Sequence, residues 1–154
     1  MVELNLPEYD CKVKQRDDGS PDIWDRLRER WVSLTPEEWV RQHFVAWLIA
    51  DKQFPAALMA NEVSLTQNGI ARRCDTVALD HTGQSLVIVE YKAPTVKVTQ
   101  KTFDQIVRYN MVLHARYLIV SNGLEHYCCQ IDYENNSYRF LEEIPCYESL
   151  VASR

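Results

Sequence analysis

Asp75, Glu90 and Lys92 are the residues of this sequence whose types and spacing could do chemistry together. Two carboxylates and one backbone carbonyl, that of Tyr91, can bind a divalent cation such as Mg²⁺ or Mn²⁺, because hard cations prefer oxygen ligands. The cation would polarise a phosphoryl oxygen and help to form hydroxide from bound water. The Lys92 side chain could orient or deprotonate that water and stabilise charge on the phosphate. The trio therefore indicates a phosphodiesterase site.

A β-hairpin has to bring these three side chains together. The run ARRCDTVALD at 71–80 alternates in polarity, is predicted to be a strand and contains Asp75. The run SLVIVEYKA at 85–93 is the next predicted strand, and its apolar core LVIV leads directly into Glu90 and Lys92. Neighbouring strands lie about 5 Å apart. Residues two apart on a strand point to the same face, so the trio can converge.

The same pattern also has an ordinary structural explanation. A Glu-x-Lys pair on a strand is common and often forms a cross-strand ion pair on a solvated face. Glu90, however, directly follows four apolar residues, and burying a charge without a partner is costly. With Asp75 on the neighbouring strand, the catalytic and the structural interpretations are about equally supported by these residues alone.

A second motif lies on the helix predicted from about Thr99 to His114. Gln105 and Tyr109 are four residues apart, so they share one face of that helix. Together they could hydrogen-bond a phosphate or a nucleotide base. Taken alone, the pair is better explained by Tyr109 packing in the core and Gln105 lying on the surface.

The remaining pattern predicts an α/β (α+β) domain at 35–154, with a mixed central sheet flanked by helices in the order αβββαβ. Thr35 is the expected N-cap of the first helix, which should continue to about Gln53. Residues 1–34 are expected to be an N-terminal extension packed on the core, with a short amphipathic piece at 23–34. Further strands are predicted at 57–66, 115–123, 125–133 and 137–143, and a short helix in the tail at 144–154.

The ordered combination D…ExK…QxxxY resembles the PD-(D/E)xK nuclease superfamily. The stretches TPEEWVRQHFVAWL, NEVSL, RRCDTVALD, LVIVEYKAP, FDQIVRYNMVL and YLIVSNG resemble, more closely, the N-terminal nuclease-like domain of type I restriction enzyme R subunits. This resemblance covers roughly residues 35–133. It implies a restriction-endonuclease-like core and Mg²⁺- or Mn²⁺-dependent hydrolysis of DNA. Its implied site has Asp75 and Glu90 as metal ligands, Lys92 as the catalytic lysine, and Gln105 with Tyr109 as the accessory helix motif.

The superfamily often has one more glutamate on its first helix, and Glu38 is the best candidate for it, with Glu37 behind it. Glu38 is equally explained as the residue that completes a capping box with Thr35. Glu62, on the preceding strand, is a weaker candidate. The proline that names the superfamily is absent, because Cys74 stands before Asp75. Many members of the superfamily lack that proline.

Composition limits the possible partners. The net charge of −5 differs from the basic balance typical of chains that bind nucleic acid alone. A local basic rim could still face phosphates, or it could be ordinary solvated charge. The residues of this rim outside the trio are Arg72, Arg73, Lys97 and Lys101. The chain has no apolar run of about 18 residues, so we expect no membrane span.

We expect a cytoplasmic protein, because the N-terminus has no apolar run typical of a secretory signal and the five cysteines fit reduced thiols. Three hypotheses follow: a DNA endonuclease in a restriction or DNA-processing context, a nuclease-fold module that binds DNA or protein without independent activity, and a purely structural protein. The sequence has no P-loop, so a helicase, a translocase or another restriction subunit is an expected partner. Self-association into a homo-oligomer is a further possibility.

Overall fold

Two β-sheets, three α-helices and a short 3₁₀ helix (Ala56–Leu58) make up the fold of residues 1–153, which the computed structural model describes. A small antiparallel sheet contains β1 (Val13–Gln15), β2 (Pro21–Asp25) and β3 (Arg30–Ser33). A larger sheet of six strands contains β4 (Met59–Gln67), β5 (Ile70–Leu79), β6 (Ser85–Tyr91), β7 (Tyr117–Ser121), β8 (His126–Asp132) and β9 (Ser137–Leu141). The helices are α1 (Pro36–Ala50), α2 (Gln100–Met111) and α3 (Tyr147–Ala152).

The large sheet is mixed, and its strands are hydrogen-bonded in sequence order from β4 to β9. Only β6 and β7 are parallel within the described residues, and α2 lies in the connection between them. A parallel pair needs such a long crossover, whereas the antiparallel pairs are joined by short turns. The expectation of a mixed sheet combined with helices is therefore confirmed.

Helices on both faces of the large sheet explain why β6 is a continuous apolar run. Val87 and Val89 pack in one buried cluster with Phe44 of α1. Ile88 packs in a second buried cluster with Phe103 of α2. A strand covered on both faces has no solvated side, so every position from 86 to 89 is apolar. Glu90 directly follows this run and lines a cavity between the sheet and α2.

The caps of α1 and α2 follow from local side-chain chemistry. Thr35 Oγ1 accepts a hydrogen bond from the backbone N–H of Glu38 at 3.1 Å, which confirms the predicted N-cap. Both helices end earlier than the sequence indicates. Chain reversal after each helix uses a residue in the left-handed region, Gln53 with φ 61° and His114 with φ 56°, so neither residue continues its helix.

The amphipathic piece at 23–34 is not a continuous element. Its first residues belong to β2 and its last to β3, with a tight turn between them. The Asp25 carboxylate accepts a hydrogen bond from the backbone N–H of Leu27 at 2.8 Å and stabilises that turn. Trp24 and Trp31 are cross-strand partners whose rings meet edge to face at 5.4 Å.

The predicted tail helix is present as α3, which ends at Ala152. The last residue of that prediction, Arg154, lies outside the described residues. No helix in residues 1–153 combines the length and the apolar character that crossing a membrane would require.

Candidate active site

Asp75 and Glu90 lie side by side on β5 and β6. The register pairs Thr76 with Val89, so Asp75 and Glu90 are the next residues along the two strands. Burial is the largest cause that raises the pKa of Glu90, and the charge and a hydrogen bond of the nearby Asp75 carboxylate come next; together they bring it to about 9. Lys92 opposes this rise, because its positive charge favours the ionised carboxylate.

Glu90 also has an unsatisfied oxygen. Its Oε1 is buried and has no hydrogen-bond partner. A buried carboxylate oxygen normally accepts hydrogen bonds or binds a cation, because leaving it without either is costly. The fold therefore buries Glu90 without supplying a hydrogen-bond partner for Oε1, which is typical of a group that binds a ligand.

The backbone on either side of the pair is fixed by hydrogen bonds from neighbouring elements. Asp75 Oδ2 accepts a hydrogen bond from the backbone N–H of Tyr91 at 2.9 Å. The Asp75 carbonyl oxygen accepts one from Arg41 Nη1 at 2.9 Å. The Asp75 carboxylate thus accepts the Tyr91 N–H in the way that a strand carbonyl would, and this bond holds it against the end of β6.

A cavity of about 250 Å³ opens beside Glu90 and reaches α2. Its lining residues are Arg73, Glu90, Lys92, Gln105, Ile106, Tyr109 and Asn110. The fold therefore brings the Gln105–Tyr109 motif of α2 to the same cavity as Glu90 and Lys92. Tyr109 is 48% exposed, so it does not pack in the core.

The two arginines of the predicted basic rim lie close to this cavity. The Arg72 guanidinium stacks over the Tyr109 ring at 4.4 Å, and Arg73 lines the cavity itself. Lys97 and Lys101 are exposed and do not line it. The predicted basic rim therefore divides into an arginine pair at the cavity and a lysine pair away from it.

Glu62 lies across from Asp75 on β4, according to the pairs on either side of it, but its carboxylate is already occupied. Arg41 contacts one oxygen at 2.9 Å, and Arg73 contacts the other at 2.9 Å. Burial alone would raise the pKa of Glu62, yet the hydrogen bonds and charges of Arg73 and Arg41 hold it below its usual value. Glu62 is thus an ionised, paired carboxylate next to the site.

Glu38 does not line the cavity. It is 5% exposed, and its carboxylate accepts hydrogen bonds from Arg28, Arg41 and Gln42 at 2.7–3.0 Å. Its contact with the site runs through Arg41, which also binds the Asp75 carbonyl and Glu62. Glu38 does not complete the expected capping box, because the backbone N–H of Thr35 donates to the Ser33 carbonyl at 3.1 Å and the Glu38 carboxylate is taken up by these side-chain donors.

Arg41 is the residue of this site that the sequence interpretation missed. It is 7% exposed, and the carboxylate of Glu38 raises its pKa, although burial by itself would lower it. One guanidinium group thus joins α1 to the strands that carry Asp75 and Glu62. A signal for it was present, because an arginine inside the apolar run WVRQHFVAWL needs buried acceptors.

A chain of buried polar groups supports the strands from behind. The Tyr91 hydroxyl donates to Thr76 Oγ1 at 2.9 Å, and Thr76 Oγ1 donates to Asn61 Oδ1 at 2.7 Å. The Asn61 amide donates to both carboxylate oxygens of Asp25 at 3.1 Å. Asp25 belongs to β2, so this chain of hydrogen bonds connects the small sheet to the two strands that carry Asp75 and Glu90.

The residues present fit a divalent cation in one respect and fall short in another. Two adjacent carboxyl groups, one with a partnerless buried oxygen, form an oxygen site that a positive charge would satisfy. Within residues 1–153, however, no group of three or more acidic, histidine or cysteine side chains is arranged to hold a metal. Mg²⁺ usually keeps several waters and needs only one or two protein carboxylates, so the pair fits Mg²⁺ better than a metal that requires a protein cage.

Comparison with known protein families identifies the family of this chain. The family model of the type I restriction enzyme R protein N terminus (HSDR_N) matches residues 36–145, which is more than half of the chain. The chain belongs to this family. The matched region includes Asp75, Glu90, Lys92 and the motif on α2, so the resemblance to R-subunit N-terminal domains is confirmed. Comparison with curated protein sequences gives no match.

A solved structure shares the fold. It is a fragment structure described as an HsdR subunit of a type I restriction enzyme from Vibrio vulnificus YJ016, with a TM-score of 0.53 and 18% sequence identity. The match covers 76% of this chain and 24% of that one. The matched part of this chain therefore spans about a quarter of the length of the HsdR fragment.

Proposed function

We propose that this domain hydrolyses DNA phosphodiester bonds with a divalent cation, Mg²⁺ or Mn²⁺, as part of a restriction system and with a PD-(D/E)xK type of site. The observation that carries the proposal is the buried, partnerless Oε1 of Glu90 next to Asp75, in a cavity that Lys92 also lines. A buried carboxyl group beside a second carboxyl group lowers the stability of the fold, so the pair is better explained by a ligand than by stability.

Asp75 and five of the residues that line the cavity have roles in this proposal. Asp75 and Glu90 would hold the cation, which supplies Lewis-acid polarisation of the phosphate when it is bound. The Lys92 ammonium would orient the attacking water and stabilise the negative charge that develops on the phosphate. Gln105 and Tyr109 stand on the α2 side of the same cavity, where they can donate hydrogen bonds to a phosphate oxygen. Arg73 adds positive charge at the rim.

The proposed partners follow from family membership. R proteins are subunits of type I restriction enzymes, so DNA and a further restriction subunit, such as a helicase or translocase, are the proposed partners. The match covers 24% of the HsdR fragment chain, and the domain would work beside the remaining part of such a protein.

The proposal is tested with metal binding and cleavage measured on the same preparations. Calorimetric titration with Mn²⁺ and Mg²⁺ should show binding that Asp75→Ala and Glu90→Ala abolish. A nuclease assay on linear, supercoiled and single-stranded DNA should show cleavage that Lys92→Ala removes while metal binding is retained. Lys97→Ala is the matched control, because it removes an exposed lysine that does not line the cavity. Cleavage by Lys92→Ala at the wild-type rate would sink the catalytic assignment.

A second function, a nuclease-fold module that binds DNA or protein without cutting, is favoured by two observations. The net charge is −5, and Glu62, the third carboxylate near the pair, is taken up by two arginines. The same experiments separate the two functions. Metal binding that is lost in Glu90→Ala, with no cleavage of any DNA form, would identify the site as intact but dependent on a partner. No metal binding at all would favour the module.

A further inference from the structure

Asn110 carries the second unsatisfied oxygen of the cavity. Among the described residues, Glu90 Oε1 and Asn110 Oδ1 are the two buried side-chain atoms without a hydrogen-bond partner, and both residues line this one cavity. Asn110 is 1% exposed and lies near the C-terminal end of α2. Two orphaned acceptors at one cavity point to a common ligand that donates hydrogen bonds or carries positive charge.

The hydrogen bond of the Asn110 amide nitrogen fixes the orientation of the amide group. Asn110 Nδ2 donates a hydrogen bond to the backbone carbonyl of Ile106 at 2.9 Å. Turning the amide over would place Oδ1 against that carbonyl, and two acceptors repel each other. Oδ1 is therefore the free atom, and it is an acceptor. Lys92 lines the same cavity but gives it no hydrogen bond in this structure.

We infer that Asn110 Oδ1 accepts a hydrogen bond from water bound to the divalent cation at Asp75 and Glu90. Mg²⁺ gives up its waters reluctantly, and a site with only two protein carboxylates leaves several of them in place. Each retained water is a polarised donor that needs an acceptor. Asn110 supplies one without adding charge to the carboxylate pair. This inference rests on the proposed function, and it identifies a positioning residue outside the predicted motif.

Metal affinity of the intact chain provides the test, with Mn²⁺ as the probe and calorimetry as the readout. Asn110→Leu keeps the approximate shape of the side chain and removes the acceptor, and it should weaken Mn²⁺ binding by about tenfold or more, as loss of an outer-shell partner does. Asn110→Ser keeps a hydrogen-bond acceptor, and its hydroxyl can donate to the Ile106 carbonyl in place of the amide, so it should bind Mn²⁺ more tightly than Asn110→Leu. Asn110→Ala serves as a smaller replacement if leucine prevents folding.

Thermal unfolding without divalent ions separates the inference from a purely structural role. If Asn110 only supports α2, Asn110→Leu will unfold at a lower temperature and bind Mn²⁺ as wild type does. Under the inference, Asn110→Leu is at least as stable as wild type, because a buried unpaired acceptor is gone, and it binds Mn²⁺ more weakly. Equal Mn²⁺ affinity in wild type and Asn110→Leu, or equally weak binding in Asn110→Leu and Asn110→Ser, would overturn the inference alone. A wild-type chain that binds no Mn²⁺ would remove the proposed function and this inference with it.

Discussion

Arg41 Nη1 donates a hydrogen bond to the backbone carbonyl of Asp75 over 2.9 Å, which connects the first helix of the domain to the strand that carries the candidate metal ligand. The same guanidinium contacts Glu38 and Glu62. Because all three acceptors are fixed by one rigid planar group, the position of Asp75 depends on α1 as well as on its own sheet.

Replacement of Arg41 should be strongly destabilising. Arg41→Ala leaves the buried Glu38 carboxylate with Arg28 as its remaining charged partner and leaves the Asp75 carbonyl without its donor. Loss of one partner of a buried ion pair costs about 3–5 kcal/mol in the free energy of unfolding. Denaturant unfolding, monitored by circular dichroism, measures this loss in the free energy of unfolding.

Arg73→Ala is the matched control, because Arg73 binds the same Glu62 with a side chain that is 65% exposed. Exposed ion pairs contribute about 1 kcal/mol or less, so this variant should unfold close to wild type. Equal losses in Arg41→Ala and Arg73→Ala would show that Arg41 does not have the buried, connecting role that its contacts indicate.

Asp25 should be as important to stability as residues of the large sheet, although it lies in the N-terminal segment. Its side chain is fully buried and accepts hydrogen bonds from Arg28 and Asn61. Asp25→Ala leaves those donors unpaired, and we expect a loss of about 3–5 kcal/mol in the free energy of unfolding. Asp18→Ala removes a carboxylate that only stabilises an exposed turn with Ser20, and should have a much smaller effect. A small loss for Asp25→Ala would mean that β1–β3 contribute little to the fold.

Much of the large sheet was predictable because its strands alternate or are continuously apolar and are separated by turn residues. Asn68 and Gly69, for example, both have positive φ in the turn between β4 and β5, as that dipeptide indicates. The small sheet was not predictable in the same way. Its β2–β3 turn is formed by charged residues of the run DRLRER, which are stabilised by Asp25 instead of glycine or proline.

Parts of the candidate site were harder to predict for a different physical reason. Sequence spacing places Asp75, Glu90 and Lys92 on neighbouring strands, but it does not say which polar residues are left without partners after folding. Asn110 follows Phe103 and Val107 at helical spacing, on the buried side of α2. A polar residue on an apolar helix face is a usable signal, but only the structure shows that its Oδ1 has no partner.

Arg73 should contribute to DNA binding through phosphate contact, if the cavity binds DNA as proposed. It lines the cavity and is largely exposed, whereas Lys101 is exposed elsewhere. Loss of one phosphate contact lowers the slope of log K against log salt by about 1. Fluorescence anisotropy with a labelled duplex at several salt concentrations, without divalent ions, should show this change in Arg73→Ala and no change in Lys101→Ala. A lower slope in Lys101→Ala, with no change in Arg73→Ala, would indicate that DNA binds at Lys97 and Lys101 instead.

The stability of the metal-free protein should fall as the pH rises, and Glu90 should be the cause. The pKa of Glu90 is about 9 in the folded protein, compared with an ordinary value of 4.5, which applies to the unfolded chain. Below about pH 4.5 the carboxyl is protonated in both states, so the contribution is fully present there. Between these values the unfolded chain ionises while the folded one keeps its proton, so unfolding releases a proton and is favoured by rising pH. The contribution is lost as the pH approaches the folded pKa, at a slope of up to about 1.4 kcal/mol per pH unit.

Glu90→Gln mimics the protonated side chain and removes this dependence. Melting temperatures measured from pH 5 to pH 9 in the presence of a chelator should show the variant above wild type, by a margin that grows with pH. Glu62→Gln is the matched control, because the folded pKa of Glu62 is lowered and its contribution is lost only below its ordinary value of 4.5. This variant should therefore melt below wild type by a margin that stays constant from pH 5 to pH 9. A margin between Glu90→Gln and wild type that stays constant over this range would show that Glu90 is ionised in the folded protein. The carboxylate pair would then need a different source of compensating charge, and Lys92, which already lowers the pKa of Glu90, is the side chain in place to supply it.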